Sequence, residues 1–277
     1  MEEKGDLYKD IITGGDIKKI IKITVKMSKT KISWSNFSWN LISGCTKYSA
    51  GCANCYAETM TRRLKAMGQE KYKDGFDKVV CHPDALDEPR KVKNPSMFFV
   101  CSMADLFHED VPSAFIDKVM DTARETPWHT YQFLTKRPDR MMEYINFSPH
   151  PASKNMWLGT TVEAEQYKDR IEYLRAIGIF NLECTTFLSC EPLLSDLGKL
   201  DLTGIDWVIV GGESGPNARP MKKEWVLNIQ RQCKEQGVPF FFKQWGTWGE
   251  DGVKRNKKAN GCLLDGKEYK QMPKGVK

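Results

Sequence analysis

Seven short apolar runs separated by amphipathic stretches predict an α/β chain, folded as an open, partial, TIM-like parallel (β/α) barrel. Most of the runs are continuously apolar rather than alternating, as parallel strands covered on both faces are. Each run also ends in polar or reactive side chains.

In chain order, "SWNLIS" (38–43) leads into a cysteine-rich loop, and "YAETMTRRLKAMG" (56–68) reads as a helix ending at a glycine. "SMFFVCSM" (96–103) delivers Ser102, with Asp105 just beyond. "PSAFIDKVMDTARETP" (112–127) opens on Pro-Ser and stops at a proline. "HTYQFLT" (129–135) brings Thr135, Lys136 and Arg137, and "NMWLGTTV" (155–162) brings Thr160, Thr161 and Glu163. The stretch 163–178 places Tyr167, Ile171, Leu174 and Ile177 on one helical face. "TTFLSC" (185–190) ends near Ser189 and Glu191, and "DWVIVGG" (206–212) runs into Gly211, Gly212, Glu213 and Ser214. A helix over 222–237 and the run "PFFFKQW" (239–245), with Lys243 and Gln244, complete the alternation.

In a parallel barrel all these strand ends meet at one face, where active sites form. Any one of them alone is more often a cap or turn residue; Asp105 and Glu163 could simply start helices. All of them in register argue for a shared site.

Composition narrows the class. The chain has 277 residues, 40% hydrophobic and 28% charged, as a globular protein does. No stretch approaches the roughly 18 to 20 apolar residues of a membrane helix, and "MEEKGDLYKD" lacks a signal peptide's apolar core. A cytoplasmic protein is expected, in which the nine cysteines are not a disulfide framework. The net charge of +6 sits at the ends: residues 1–31 hold eight Lys/Arg against five Asp/Glu, and 250–277 hold eight against four. These ends read either as solvated segments or as an attraction for a polyanion.

"GCTKYSAGCANCYAE" (44–58) places Cys45, Cys52 and Cys55 at C-x6-C-x2-C spacing. Gly44, Ser49 and Gly51 make the segment a loop able to wrap a bulky group. Three thiolates on a 4Fe-4S cluster leave one iron open. Zinc is the competitor: a structural site needs a fourth ligand, for which Cys81 and His82 are the nearest candidates, and a catalytic site keeps three plus water. Cys101, Cys184, Cys190 and Cys233 sit in apolar elements and read as small hydrophobes. The aromatics near the strand ends, among them Trp34, Trp39, Tyr56, Trp128 and Trp157, read as packing, with room for one or two to stack on a base.

The stretch from "SKTKISWSNFSWN" through the cysteine loop resembles the start of the phage-associated radical-SAM-like proteins of unknown function. The likeness continues through "MADLFHEDVP", "TPWHTYQFLTKRPDRM", "WLGTTVE", "LSCEPLL", "IDWVIVGGESGPNARPM" and "VPFFFKQWG", covering roughly 28 to 247. The resemblance implies a barrel of the radical-SAM type. It implies that Cys45, Cys52 and Cys55 ligate a 4Fe-4S cluster and that S-adenosylmethionine (SAM) is cleaved to a 5′-deoxyadenosyl radical. The loop is longer than the C-x3-C-x2-C of most radical-SAM enzymes, and Leu41 stands where a proline is usual. SAM contacts would fall at the strand ends: Ser102, Asp105, Thr160, Thr161, Glu163 and Glu191, and the Gly211, Gly212, Glu213 turn. Lys136, Arg137 and Lys243 suit a SAM carboxylate or an anionic substrate. An electron donor is required, a nucleotide or nucleic acid is the expected substrate, and no membrane is involved. The rival class is a non-enzymatic nucleic-acid-binding module with a structural zinc or cluster. The resemblance starts at Met27, so residues 1–26 read as an N-terminal extension or misassigned start, 27–249 as the barrel and 250–277 as a basic tail.

Overall fold

The structure, a computed structural model, describes residues 29–30, 32–149, 152–180 and 183–273. The expected extension, residues 1–26, lies outside the described residues. Seven parallel strands form one sheet: β1 (Phe37–Trp39), β4 (Met97–Val100), β5 (Thr130–Thr135), β6 (Met156–Thr161), β7 (Thr185–Cys190), β8 (Trp207–Gly211) and β9 (Phe240–Gln244). Their spatial order is their chain order, so every crossover turns the same way round, and β1 and β9 remain edges. The sheet is an open partial barrel. All seven expected strands are present. The first is shorter than its run: it breaks at Asn40, and β2 (Ile42–Ser43) leaves to pair antiparallel with β3 (Val80–Cys81).

The period of two along each strand sorts the side chains. Phe98, Val100, Tyr131, Phe133, Leu158, Leu188, Val208, Val210 and Phe242 join a core with the covering helices. Trp157, Phe187, Trp207, Ile209 and Phe241 point the other way and pack with Trp34 as a separate aromatic cluster on the concave side. Gly159 leaves room for it, since a Cβ there would meet the Phe187 ring at 2.4 Å.

The longer helices are α1 (Tyr56–Ala66), α2 (Ser113–Glu125), α3 (Pro138–Phe147), α4 (Arg170–Phe180) and α5 (Lys223–Gln236). Two differ from the sequence reading. Helix α3 was not expected, although Pro138 in its first turn and the buried pair Met141 and Ile145 mark it. Helix α4 starts at Arg170 rather than 163, because Glu163 turns back to bond elsewhere and Glu165–Tyr167 forms a 3-10 turn. It also runs past Gly178. Beyond Gly249, β10 (Leu263–Leu264) and β11 (Lys267–Glu268) form a hairpin. The chain then lies along β9, where Phe242 N–H donates to the Tyr269 carbonyl at 2.9 Å, and so covers a sheet edge.

Candidate active site

The cysteine loop is pinned at its root. Gly44 has φ +83, and a Cβ there would lie 2.0 Å from the Lys78 carbonyl oxygen, so only glycine fits. Cys45 N–H donates to the Phe76 carbonyl at 2.7 Å. Ser43 Oγ bonds His82 Nε2 at 2.8 Å and His82 N–H donates to the Leu41 carbonyl at 2.8 Å. Cys81 and His82, the nearest candidates for a fourth zinc ligand, thus belong to the β2–β3 pair under the loop. Leu41 is fully buried in the core. Cys55 immediately precedes α1.

Side chains from several strand ends grip the rest of the loop. After β4, the buried His108 accepts the Asp110 N–H on Nδ1 at 3.1 Å, leaving Nε2–H to donate to Thr46 Oγ1 at 2.8 Å. Burial and the nearby Arg137 hold the His108 pKa below the usual imidazole range. Arg137, after β5, donates to Thr46 Oγ1 at 2.9 Å and to Glu109 at 2.8 Å, and pairs with Asp105 at 3.3 Å. Its guanidinium lies 4.7 Å from the Tyr48 ring centroid. Burial, with Asp105 adding to it, pushes the Cys45 thiol up to about 11; the nearby positive charge of Arg137 opposes that rise. A cation beside this sulfur favours its thiolate.

Glu163, wholly buried after β6, accepts the Ser49 hydroxyl and the Gly51 N–H (3.2 Å) on Oε1 and Arg170 (2.9 Å) on Oε2. Tyr167 OH accepts the Ala50 N–H at 3.0 Å. After β8, Glu213 Oε2 accepts Asn54 Nδ2 at 3.1 Å and both N–H and Nε–H of Arg219, while Oε1 takes Arg219 Nη2 at 2.6 Å. Burial alone would raise the Glu213 carboxyl, but the Arg219 and Asn54 bonds outweigh it and hold the pKa below the usual range. Arg219 Nη2 also donates to the Ala50 carbonyl at 3.0 Å.

The other expected contacts divide. Asp105 is spent on protein: it accepts Thr135 Oγ1 at 2.7 and 2.9 Å, Lys136 N–H at 3.1 Å and Phe107 N–H at 3.0 Å. Thr160 Oγ1 donates to the Thr135 carbonyl at 3.0 Å, and Thr161 gives its carbonyl to Arg170 at 2.8 Å. Gly212 is glycine because a Cβ would meet the Trp245 carbonyl oxygen at 1.9 Å; Gly211 leaves space for Glu191, whose Cδ would be 3.2 Å away. Both glycines therefore serve close packing of the chain on itself. Ser102 is half-buried and donates to Asn40 Oδ1 at 3.0 Å. Glu191 and Lys243 form a half-buried ion pair of 2.7 Å on the concave side, with Lys243 Nζ 4.8 Å from the Trp34 ring centroid. Lys136 is half-buried and its ammonium has no partner among the described residues.

Sequence reasoning missed Thr46, His108, Tyr167, Arg170 and Arg219. Only the polarity of their segments could have hinted at them. Cys45, Cys52 and Cys55 are free and partly exposed, and Cys101, Cys184, Cys190 and Cys233 are buried, as expected of small hydrophobes. Among the described residues no three His, Cys, Asp or Glu side chains converge as ligands of one ion. No helix among them is long and apolar enough to cross a membrane.

Residues 29–273 match the model of the family described as "Protein of unknown function (DUF5131)", and the chain belongs to that family. Among solved structures, the chain is similar to "Spore photoproduct lyase complexed with dinucleoside spore photoproduct", at 13% identity and a TM-score of 0.46 over 77% of this chain and 65% of that one. A tyrosine-to-phenylalanine mutant of that lyase is similar at 14% identity and a TM-score of 0.47, over 86% and 74% of the two chains. A double mutant with bound AdoMet and dinucleoside spore photoproduct gives 13% and 0.44, over 77% and 65%. The chain thus spans about 65% of the length of the first of these. No curated protein matches the sequence.

Proposed function

We propose that this protein is a radical-SAM enzyme, with Cys45, Cys52 and Cys55 holding a 4Fe-4S cluster. One observation carries the reading. Three free, partly exposed thiols stand on one loop, and side chains from the ends of β4, β5, β6 and β8 hold that loop across the mouth of a partial parallel barrel. The donor set suits a cluster. A cubane takes one thiolate per iron, which needs the sulfurs apart, whereas tetrahedral zinc needs them around one point. Cys45, Cys52 and Cys55 are each partly exposed, so one bulky group can reach all three. The resemblance to phage-associated radical-SAM-like proteins supports the same assignment.

A cluster held by the three cysteines would supply one electron, drawn from an external donor, for cleavage of the SAM sulfonium C–S bond into methionine and a 5′-deoxyadenosyl radical. The chain's own residues bind and shield. Lys243 and Lys136 offer positive charge to a carboxylate or phosphate, and Glu191 accepts from an amine or ribose hydroxyl. Ser102 and Thr161 add hydroxyls at the same strand ends. The aromatic cluster around Trp34 closes the barrel below Lys243 and keeps water from that side.

Tyr48, within the cysteine loop, and Tyr56, next to Cys55, are exposed and the C-terminal residues are basic, which suits a nucleotide or nucleic-acid substrate. The partly exposed free thiols of Cys45, Cys52 and Cys55 suit the reducing cytoplasm.

The test is anaerobic reconstitution with iron and sulfide, addition of reductant and SAM, and assay of 5′-deoxyadenosine. Formation that disappears in Cys52→Ala is the expected result. Iron-loaded protein that yields no 5′-deoxyadenosine would overturn the SAM assignment. Stoichiometric zinc with tight, salt-sensitive DNA binding would point to a binding module instead.

A further inference from the structure

We propose that Glu163 and Glu213 are positioning residues for the cysteine loop, and that the Glu163–Arg170 and Glu213–Arg219 pairs fix where Cys52 and Cys55 stand. The inference rests on the reading of this loop as the cluster site, and it reassigns two carboxylates that the sequence places among SAM contacts.

Residues 49–54 bond little to themselves: Cys52 N–H to the Ser49 carbonyl at 2.9 Å, and Ala53 N–H to the Ala50 carbonyl at 3.3 Å. Two glycines flank and divide the segment, so its conformation must be imposed from outside. Two strand ends impose it. From β6, Glu163 takes Ser49 and Gly51, and Tyr167 takes the Ala50 N–H. From β8, Glu213 and the Asn217 carbonyl (2.9 Å) accept from the Asn54 amide, and Arg219 donates to the Ala50 carbonyl. Ala50 is therefore held at its N–H by one side and at its carbonyl by the other.

Each carboxylate is also held by its own arginine. Arg170 bonds Glu163, the Thr161 carbonyl and lies 4.4 Å from the Tyr167 ring centroid. Arg219 engages both oxygens of Glu213. The pairing compensates two buried charges, and the oxygens facing the loop are already occupied. Space is tight as well: a Cβ on Gly51 would stand 3.0 Å from Glu163 Oε1. Neither carboxylate has the open side that a cofactor contact needs, whereas Lys243 and Glu191 keep 23% and 19% of their side chains exposed.

The decisive variant removes the two side chains that the loop gives the clamp and leaves both carboxylate–arginine pairs intact: Ser49→Ala with Asn54→Ala in the full-length protein. Amide hydrogen exchange of residues 50–53 is measured first on metal-free protein, beside the melting temperature. Iron release to a chelator is then timed after anaerobic reconstitution. We expect loop exchange faster by about tenfold, with the melting temperature within about 3 °C of the unaltered protein, and iron release faster by about fivefold. Glu213→Gln should move exchange and iron release in the same direction. Loop exchange within about twofold of the unaltered protein overturns the proposal, whatever the iron does. If the unaltered protein takes up no iron, the cluster reading fails, and the exchange result still decides whether the clamp exists.

Discussion

At one end of the concave face, Trp34, Trp157, Phe187 and Phe241 surround Trp207 with ring centroids 5.7 to 6.0 Å away. At the other end, Asp105, Glu163 and Glu213 meet Arg137, Arg170 and Arg219 beneath a loop with three free thiols. The first region gains its energy from burial and is indifferent to what lies beyond it. The second buries charge, which is costly unless every group is paired, and yields position rather than net stability. The same strands thus carry two kinds of residue: aromatics that hold the sheet together, and polar ends that hold the loop.

This contrast can be broken from either side. Trp207→Ala should destabilise most, by about 3 to 5 kcal/mol, because it empties the centre of the aromatic cluster. Urea unfolding measures it, and a loss under about 1 kcal/mol would mean that the cluster is not a packing unit. Gly44→Ala should cost less, about 1 to 2 kcal/mol, since alanine is strained at φ +83 and would collide with Lys78. Unlike Trp207→Ala, it should chiefly release the loop root, seen as faster exchange at Cys45.

Cys233→Ala, in the buried core away from the loop, should cost about 1 kcal/mol and leave iron uptake unchanged. The smallest effect separates the two ends by pH. The folded state holds His108 neutral, with a pKa below the ordinary 6.5. Its contribution is complete above that value and declines as the pH falls from 6.5 through the lower folded pKa. Glu213 has its carboxyl below the ordinary 4.5, so its contribution persists until the pH falls below that range. Loop protection should therefore weaken in two steps on acidification while the aromatic cluster, followed by tryptophan fluorescence, does not change. A single step shared by both ends would contradict the contrast.

The sheet was readable because its apolar runs are local, and each of the seven forms a strand. Cys45, Cys52 and Cys55 stand out in the sequence by their spacing. Helix α3 was missed because its apolar face amounts to little more than Met141 and Ile145. The start of α4 was misplaced because Tyr167 keeps helical spacing with Ile171, while its hydroxyl is committed to Ala50. The clamp itself was not readable. Its partners are 112 residues apart for Gly51 and Glu163 and 169 apart for Ala50 and Arg219, and no local pattern records such pairings. Gly211 and Gly212 looked like a place for a cofactor to approach the backbone; the neighbours they admit are Glu191 and Trp245.

The central claim is that the clamped loop carries a 4Fe-4S cluster on Cys45, Cys52 and Cys55. It is tested most directly by iron and sulfide content, with the visible and electron paramagnetic resonance spectra, of protein prepared without oxygen. The full chain is compared with Cys45→Ala, Cys52→Ala and Cys55→Ala. The account predicts about four irons per chain in the unaltered protein and loss of the cluster in each variant. Full iron in all three variants, or stoichiometric zinc and no iron uptake in the unaltered protein, would contradict it.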